Sequence, residues 1–241
     1  MVFDLLSSRS DSAAANMAAD LLLLQHYPQR DHARFRHYGW HRPAITFGYS
    51  QKIAWVREQL PVDATITASD FELCRRPTGG GVVDHRDDWT YALVIPRGHD
   101  LGDARATVAY AAIHRAVTDC LTRQGVAAEL KEHCEPCDDD APGPGVCFTK
   151  PELHDVIHAT TGAKLAGAAQ KRSKHGLLFQ GSIARGAVGE IDWELFHGDF
   201  TAALATLLAA EAHESTWPEL WDEALDPLAE SYATPEWIER R

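Results

Sequence analysis

Short segments of alternating apolar and polar residues, which are typical of β-strands, follow one another directly in this chain as often as they alternate with helices. They include Arg34–Tyr38 and Phe71–Arg76, and the apolar run Thr90–Pro96 predicts a further strand. Residues 155–160, a turn at Thr161-Gly162 and the run that starts at Lys164 predict a β-hairpin. A parallel doubly wound sheet needs a helix between successive strands. The order therefore predicts an α+β fold with a central, mostly antiparallel sheet flanked by helices.

Helical periodicity marks several segments between and after these strands. The predicted helices are Ala13–Gln25, Ile53–Leu60, Ala104–Arg123, Phe200–His213 and Pro218–Tyr232. Ser12 is a candidate N-cap for the first helix, and Gly125 stands where a C-cap glycine ends the third. No linker divides the chain, so we expect one domain over residues 1–241, with a helical part from residue 185 onward and no separate accessory domain.

The composition narrows the class of protein. No apolar run is long enough to span a membrane, and the N-terminus does not resemble a secretory signal. The net charge of −12 argues against nucleic acid as a partner, because such binders carry a basic face. Five cysteines, an odd number, do not suggest a disulfide framework. We therefore expect a cytoplasmic protein that binds neither nucleic acid nor a membrane.

A triple glycine is the first candidate for a functional site. The backbone N–H groups of Gly79, Gly80 and Gly81 can approach a ligand closely and cradle a carboxylate, a phosphate or a developing oxyanion. Arg75 and Arg76 precede the loop and add positive charge. The loop does not match the P-loop pattern, and a plain turn is the alternative interpretation.

Three side chains elsewhere carry reactive groups. Lys164 lies among small apolar residues, where its ammonium can bind a carbonyl oxygen; the alternative is a lysine that faces solvent. The Cys147 thiol can attack an acyl group if nearby cations lower its pKa; the alternative is a small buried hydrophobe. His85, four residues past the triple glycine, can act as an acid–base or hydrogen-bonding group.

A metal site is the less favoured interpretation of the cysteine pair Cys134 and Cys137. A structural zinc site needs four ligands at readable spacing, and no second Cys-x-x-Cys or histidine pair accompanies this one. We therefore predict no metal site.

These motifs together resemble the lipoate–protein ligase A and octanoyltransferase family, which is related to the catalytic domain of biotin protein ligase. The first signature is Arg75-Arg-Pro-Thr-Gly-Gly-Gly-Val-Val-Asp-His85, and the second is Gly162-Ala-Lys-Leu-Ala-Gly-Ala-Ala-Gln-Lys-Arg172. Asn16-Met17, Pro43–Gln51 and Gly181-Ser-Ile183 also fit, so the resemblance spans roughly residues 10 to 185 in the expected order.

The resemblance implies a single acyl site in a class II biotin/lipoate-ligase-like domain. It implies that the loop from Arg76 and Thr78 to Gly81 lines the acyl or nucleotide side, bordered by His85. Lys164 is then the residue that contacts the acyl carbonyl, with Gly167 and Ala168 beside it in the substrate site.

The family carries out two reactions. Octanoyltransferases of one branch take octanoate from acyl carrier protein through a cysteine thioester and need no cofactor. Ligases activate lipoate with ATP and Mg. Either way the acceptor is a lysine of a lipoyl-carrier domain, of the glycine cleavage H protein or dehydrogenase E2 type. Cys147, followed by Phe148, Pro151 and Asp155, resembles the nucleophile position of the transferase branch.

Two departures from the transferase pattern keep the alternatives open. The transferase branch often has arginine where this chain has Gly81, and the Gly-Gly-Gly sequence is the more ligase-like form. Phe179-Gln180 stands where Gln-His is common. We expect the transferase, with the ATP-dependent ligase as the alternative. A non-catalytic module that binds acyl groups or carrier domains is a third possibility.

Overall fold

The computed structural model describes residues 1–62, 66–133, 151–219 and 221–240. Within these residues the strands and helices are, in chain order, β1 (Val2–Leu6), β2 (Arg9–Asp11), α1 (Ala13–Gln25), β3 (Ala33–Trp40), β4 (Ala44–Phe47), α2 (Ile53–Glu58), β5 (Glu72–Arg75), β6 (Val82–Asp84), β7 (Asp88–Pro96), α3 (Asp100–Asp103), α4 (Ala106–Arg123), β8 (Ala128–Leu130), β9 (Val156–His158), β10 (Lys164–Ser173), β11 (Gly176–Ala184), α5 (Arg185–Val188), α6 (Trp193–Leu207), β12 (Glu211–Ser215), α7 (Trp221–Ala233) and α8 (Pro235–Ile238).

The larger sheet has the strand order β12-β1-β3-β7-β11-β10-β9-β8, with β2 beside β3. Every pairing from β3 to β8 is antiparallel, and this includes the predicted hairpin of β9 and β10. The pairings of β1 with β12, β1 with β3 and β2 with β3 are parallel. The sheet is therefore mixed, with an antiparallel centre, and the α+β prediction is confirmed.

Helices cover both faces of the central strands. Side chains alternate between faces along a strand, and in β7 Leu93 and Ile95 join the core under α4 and α6. Their neighbours Ala92 and Val94 join a second core under α1 and α7. This double burial explains why β7 is apolar along nearly its whole length.

The smaller sheet, ordered β5-β4-β6, holds the triple-glycine loop. β4 pairs with β5 in parallel and with β6 antiparallel, and its apolar side chains pack in a third core. Gly48 follows β4, and a Cβ atom there would lie 2.0 Å from the carbonyl oxygen of Gly80. A glycine at position 48 therefore lets the loop approach the end of β4.

The predicted helix Phe200–His213 is wrong at both ends, and the helix begins at Trp193, seven residues earlier than predicted. α6 ends at Leu207, Ala209 has φ +46°, and residues 211–215 form β12 instead. β12 pairs in parallel with β1, a strand that the patterns did not predict. Residues 208–213 have helical periodicity, but the pairing with β1 outweighs it because the edge of β1 offers backbone donors and acceptors that need partners.

Other predicted boundaries agree closely with the structure. α1 covers the predicted residues, and its N-cap Ser12 accepts a hydrogen bond from the Ala15 N–H. α4 begins at Ala106, two residues later than predicted, and Gly125 follows it with φ +85°. No helix among the described residues is long and apolar enough to cross a bilayer.

Candidate functional site

A small cavity of about 40 Å³ lies between the two sheets and α1. Its lining comes from elements that are distant in sequence. The lining residues are Met17, Tyr38, Thr46, Arg76, Gly80, Val83, His85, Thr90, Lys164, Gly167, Ala168, Ala169, Gln180, Gly181 and Ser182.

Arg76 shapes the triple-glycine loop from inside. Its Nη2 donates to the carbonyl oxygens of Gly79 (3.0 Å) and Gly81 (2.8 Å), and its Nη1 donates to Thr46 Oγ1 (2.8 Å). Gly80, with φ +92°, adopts a backbone conformation that favours glycine. The guanidinium is buried, so it places a fixed positive charge beside the cavity while it holds the loop closed.

The loop is tied to the sheet and to α1 through Gln180. Thr78 Oγ1 donates to Gln180 Oε1 (2.7 Å), and Gln180 Nε2 donates to Asp20 Oδ2 (2.6 Å). Asp20 is itself paired with Arg36 at 2.7 Å, and both side chains are buried. Because removing one partner of a buried pair costs ~3–5 kcal/mol, this chain of contacts gives the floor of the site a rigid support.

Lys164 projects into the cavity at the start of β10 and is held by an ion pair. Its Nζ lies 2.7 Å from Asp155 Oδ2, and the two side chains are 5% and 0% exposed. The Tyr110 hydroxyl donates to the other oxygen of Asp155, and burial, with the nearby carboxylate, raises the Tyr110 pKa well above its usual range. Gly167 leaves the space that the lysine occupies, since a Cβ there would lie 2.6 Å from Nζ.

His85 lies on the opposite wall between two polar partners. Its Nδ1 is 2.7 Å from Asp88 Oδ2 and its Nε2 is 2.7 Å from Thr46 Oγ1, while its ring stacks on Trp40 at 4.2 Å. Burial by itself raises the Asp88 pKa. The His85 charge and hydrogen bonds from His85, Ser182 and Thr90 outweigh this effect and hold that pKa below its ordinary value. Asp88 is therefore a carboxylate at neutral pH.

Most of the predicted site residues meet at this cavity. Those that line it are Arg76, Gly80, His85, Lys164, Gly167 and Ala168. Thr78, Gly79 and Gly81 belong to the same loop and reach the site through the contacts of Arg76 and Gln180.

Arg75 does not lie at the cavity. Its guanidinium donates to four backbone carbonyls, those of Tyr49, Gln51, Trp237 and Ile238, at 2.6–3.0 Å. It joins β5 to the segment before α2 and to α8, because its side chain leaves the strand on the side opposite to that of Arg76. Cys147, Cys134 and Cys137 lie outside the described residues.

The structure adds residues to which the sequence interpretation gave no role in the cavity: Thr46, Asp88, Tyr110, Asp155 and Gln180. Asp88 is three residues past His85, and Asp155 begins the predicted hairpin, so their proximity to motif residues was a usable signal. Tyr110 offered none, because it is one of many residues on a long helix. Among the described residues no group of three or more His, Cys, Asp or Glu side chains is placed to hold a metal ion.

The chain belongs to the lipoyl protein ligase A/B catalytic domain family, whose model matches residues 12–188. A relative in Geobacillus kaustophilus (strain HTA426), named octanoyltransferase LipM, is 32% identical over 187 residues. The match covers 76% of this chain but 65% of that protein, so it spans less than two thirds of the relative's length.

Solved structures show the same fold at low identity. A lipoate-protein ligase A bound with ATP superposes with a TM-score of 0.75 at 17% identity, covering 99% of both chains. A bi-partite lipoate protein ligase from Thermoplasma acidophilum, studied with its E2 lipoyl domain, gives a TM-score of 0.73 at 17% identity and covers 99% of this chain and 96% of that one.

Proposed function

We propose that this protein is an acyltransferase of lipoate metabolism that attaches an octanoyl or lipoyl group to a lysine of a lipoyl-carrier protein. In this proposal the group arrives from octanoyl-acyl carrier protein and passes through a thioester on Cys147. The acceptor is a carrier domain of the dehydrogenase E2 or glycine cleavage H type. Family membership and the octanoyltransferase name of the Geobacillus relative support the reaction class.

The observation that carries the proposal is the Lys164 ammonium, buried and held 2.7 Å from Asp155 at the wall of the cavity. Acyl transfer places negative charge on the carbonyl oxygen in the transition state. A fixed cation in a site that excludes water stabilises such charge far better than a solvated one does. The Gly79–Gly81 backbone and Arg76, on the opposite side, supply further positive potential.

Cysteine chemistry in this chain points to Cys147 as the nucleophile. Burial raises the thiol pKa of Cys74 to about 12 and that of Cys120 to about 11, so both stay protonated and poorly nucleophilic. Cys147 is the cysteine that stands in the transferase-like sequence Cys-Phe with Pro151 and Asp155 downstream.

The proposed reaction has two steps. The Cys147 thiolate attacks the donor thioester carbonyl, a new carbon–sulfur bond forms, and the donor's thiolate leaves. The amine of the carrier lysine then attacks the acyl-cysteine, an amide forms, and the Cys147 thiolate is released. Splitting one acyl transfer into two in this way is the general logic of covalent catalysis.

An ATP-dependent lipoate ligase is the second candidate. Gly81 gives the loop its ligase-like form, and the fold matches that of a lipoate-protein ligase A bound with ATP. In such an enzyme ATP and Mg would activate lipoate as an adenylate, and Cys147 would have only a packing role. The Gly79–Gly81 backbone and Lys164 suit a phosphate as well as an oxyanion.

One assay with parallel arms distinguishes these candidates. The purified chain is given a lipoyl-carrier domain with octanoyl-acyl carrier protein or with free lipoate, each with and without ATP and Mg, and products are weighed by mass spectrometry. We expect octanoylation without ATP and an octanoyl adduct on Cys147. Cys147→Ser should abolish transfer, whereas Cys120→Ser is the matched control and should retain it.

Other outcomes contradict the proposal in specific ways. Normal octanoyl transfer by Cys147→Ser refutes the thioester route. Lipoylation that requires ATP and survives Cys147→Ala establishes the ligase. Binding of octanoate without modification of any carrier lysine establishes a non-catalytic module.

A further inference from the structure

The hydroxyl of Thr46 lies between two hydrogen-bond partners, the guanidinium of Arg76 and the imidazole of His85. Arg76 Nη1 donates to Thr46 Oγ1 at 2.8 Å, and a guanidinium accepts no hydrogen bond. On the other side, His85 Nδ1 faces the ionised Asp88 at 2.7 Å, which requires the ring hydrogen on Nδ1. When the ring is neutral, its Nε2 is therefore an acceptor, and Thr46 Oγ1, 2.7 Å away, donates to it.

We propose that Thr46, His85 and Asp88 form a proton relay that accepts the proton released by the carrier lysine during acyl transfer. This inference rests on the proposed acyltransferase function. Thr46 and His85 both line the cavity that holds Lys164. The order hydroxyl, imidazole, carboxylate is the one by which serine hydrolases move a proton, but here the hydroxyl passes the proton on and forms no bond to the acyl group.

The proton balance follows from these directions. As the lysine nitrogen bonds to the acyl carbon and the Cys147 thiolate leaves, the nitrogen loses a proton to Thr46 Oγ1 while the Thr46 hydrogen moves to His85 Nε2. His85 becomes an imidazolium next to the Asp88 carboxylate. In the next loading step the proton returns by the same path to the thiolate that leaves the donor carrier. One turnover therefore converts a donor thioester and an amine into an amide and a donor thiol.

Asp88 has a positioning role in this relay. Its Oδ2 also accepts hydrogen bonds from Thr90 Oγ1 (2.8 Å) and from the Ser182 hydroxyl, so the carboxylate is held at three points. Trp40 stacks on the imidazole and donates from Nε1 to Thr90 Oγ1 (3.1 Å). The ring is thereby fixed in both plane and tautomer, as orientation-dependent proton transfer requires.

Basic residues on both sides of His85 make the Asp88 carboxylate necessary for His85 to take up a proton. On the cavity side the other charged lining residues are Arg76 and Lys164. On the groove side, which His85 and Asp88 also line, the basic residues are His37, His41, Arg42, Arg86 and Arg185. Apart from Asp88 these groups are cationic or become so on protonation. Asp155 pairs with Lys164 and Asp84 with Arg86, but the remaining basic groups disfavour a positive charge on His85. Asp88 offsets them when His85 takes up the proton.

Kinetics of paired Thr46 variants test the relay. Thr46→Val keeps the shape but removes the hydroxyl, whereas Thr46→Ser keeps the hydroxyl. We expect kcat for octanoyl transfer to fall by ~100-fold in Thr46→Val, in the range for general acid–base groups, and to stay within a few-fold in Thr46→Ser. KM for the acyl donor should change little in either variant, because the proton leaves only in the transition state.

Kinetics of Asp88→Asn test the positioning role of Asp88. We expect kcat to fall by ~100-fold while KM for the acyl donor changes little, because the imidazole loses the partner that fixes its plane and its ring hydrogen. Asp84→Asn is the matched control: Asp84 pairs with Arg86 near the surface, and its variant should keep the rate within a few-fold.

A spectroscopic measurement tests the hydrogen-bond directions independently of activity. The ¹⁵N shifts of the His85 ring, assigned by their loss in His85→Gln, should show hydrogen on Nδ1 and an acceptor at Nε2 that changes in Thr46→Val. The opposite tautomer would overturn the relay, as would wild-type kinetics in Thr46→Val or an acyl adduct on Thr46. Absence of any transfer by the wild-type protein would instead refute the proposed function. The His85 tautomer would still decide the direction of the hydrogen bonds from Thr46 to His85 and from His85 to Asp88.

Discussion

Replacing Gly167 by alanine should displace the Lys164 ammonium without unfolding β10. The added Cβ would lie 2.4 Å from Lys164 Cε and 2.6 Å from Nζ. Ordinary contacts begin at about 3.4 Å, so the end of the lysine side chain must move by ~1 Å. The lysine stem is flexible and can yield where backbone cannot. The strand therefore stays in place, while the 2.7 Å ion pair with Asp155 is stretched.

The expected consequence is a loss of catalysis larger than the loss of stability. A misplacement of ~1 Å in a reacting group can cost ~100-fold in rate, which equals about 2.7 kcal/mol of barrier. The assay is kcat/KM for octanoyl transfer from octanoyl-acyl carrier protein to a carrier domain, measured beside the thermal midpoint. Gly198→Ala in α6 is the matched control, since no other atom lies within 4 Å of a Cβ at that position.

Two results would refute this reasoning. If Gly167→Ala keeps wild-type kinetics, the position of the ammonium does not matter and the acyl site is placed wrongly. If it fails to fold while Gly198→Ala folds normally, the lysine side chain is too confined to yield and the assumed flexibility is wrong.

Two further predictions concern charge. Lys164→Ala should lower kcat/KM at least tenfold, ~1.4 kcal/mol of transition-state stabilisation, and should destabilise the fold by ~3 kcal/mol because Asp155 loses its buried partner; unchanged transfer kinetics would contradict the proposed site. Burial lowers the pKa of His37 and of His114 to about 4, below the ~6.5 of an unfolded chain. Between these two pH values the unfolded state binds more protons than the folded state. The free energy of unfolding should therefore fall as the pH drops below ~6.5, by up to ~1.4 kcal/mol per pH unit for each histidine. Denaturant titrations at about pH 7.5 and 5.5 measure this difference, and equal stabilities would contradict the prediction.

The element pattern was predictable where local signals were strong. α1 has its Ser12 cap and a run of helix-forming alanines and leucines, and the β9–β10 hairpin has its turn at Thr161-Gly162. β12 was not predictable, because the residues 211–215 become a strand only when β1 offers a parallel partner. That pairing joins positions about 210 residues apart, beyond the reach of any local pattern.

The candidate site divides in the same way. Gly80 and Lys164 were identifiable because each lies in a motif of characteristic residue types and spacing, although the pattern left a solvent-facing Lys164 open. Asp155 and Asp88 lie near these motifs, but residue type alone did not give them a role, because a carboxylate in a loop or at the start of a strand looks like a solvated charge until its partners are known. Only the folded chain shows that both are buried and paired with residues of the site.

The sequence by itself determined the α+β class, the triple-glycine loop, the lysine and the family resemblance, because these depend on residue type and on spacing within short windows. Tertiary structure decided what each charge does. Arg75 and Arg76 are neighbours in sequence, yet one clamps the C-terminal segment and the other holds the glycine loop. The physical reason is that successive side chains of an extended strand point to opposite sides. The hydrogen-bond partners on the two sides come from different parts of the chain.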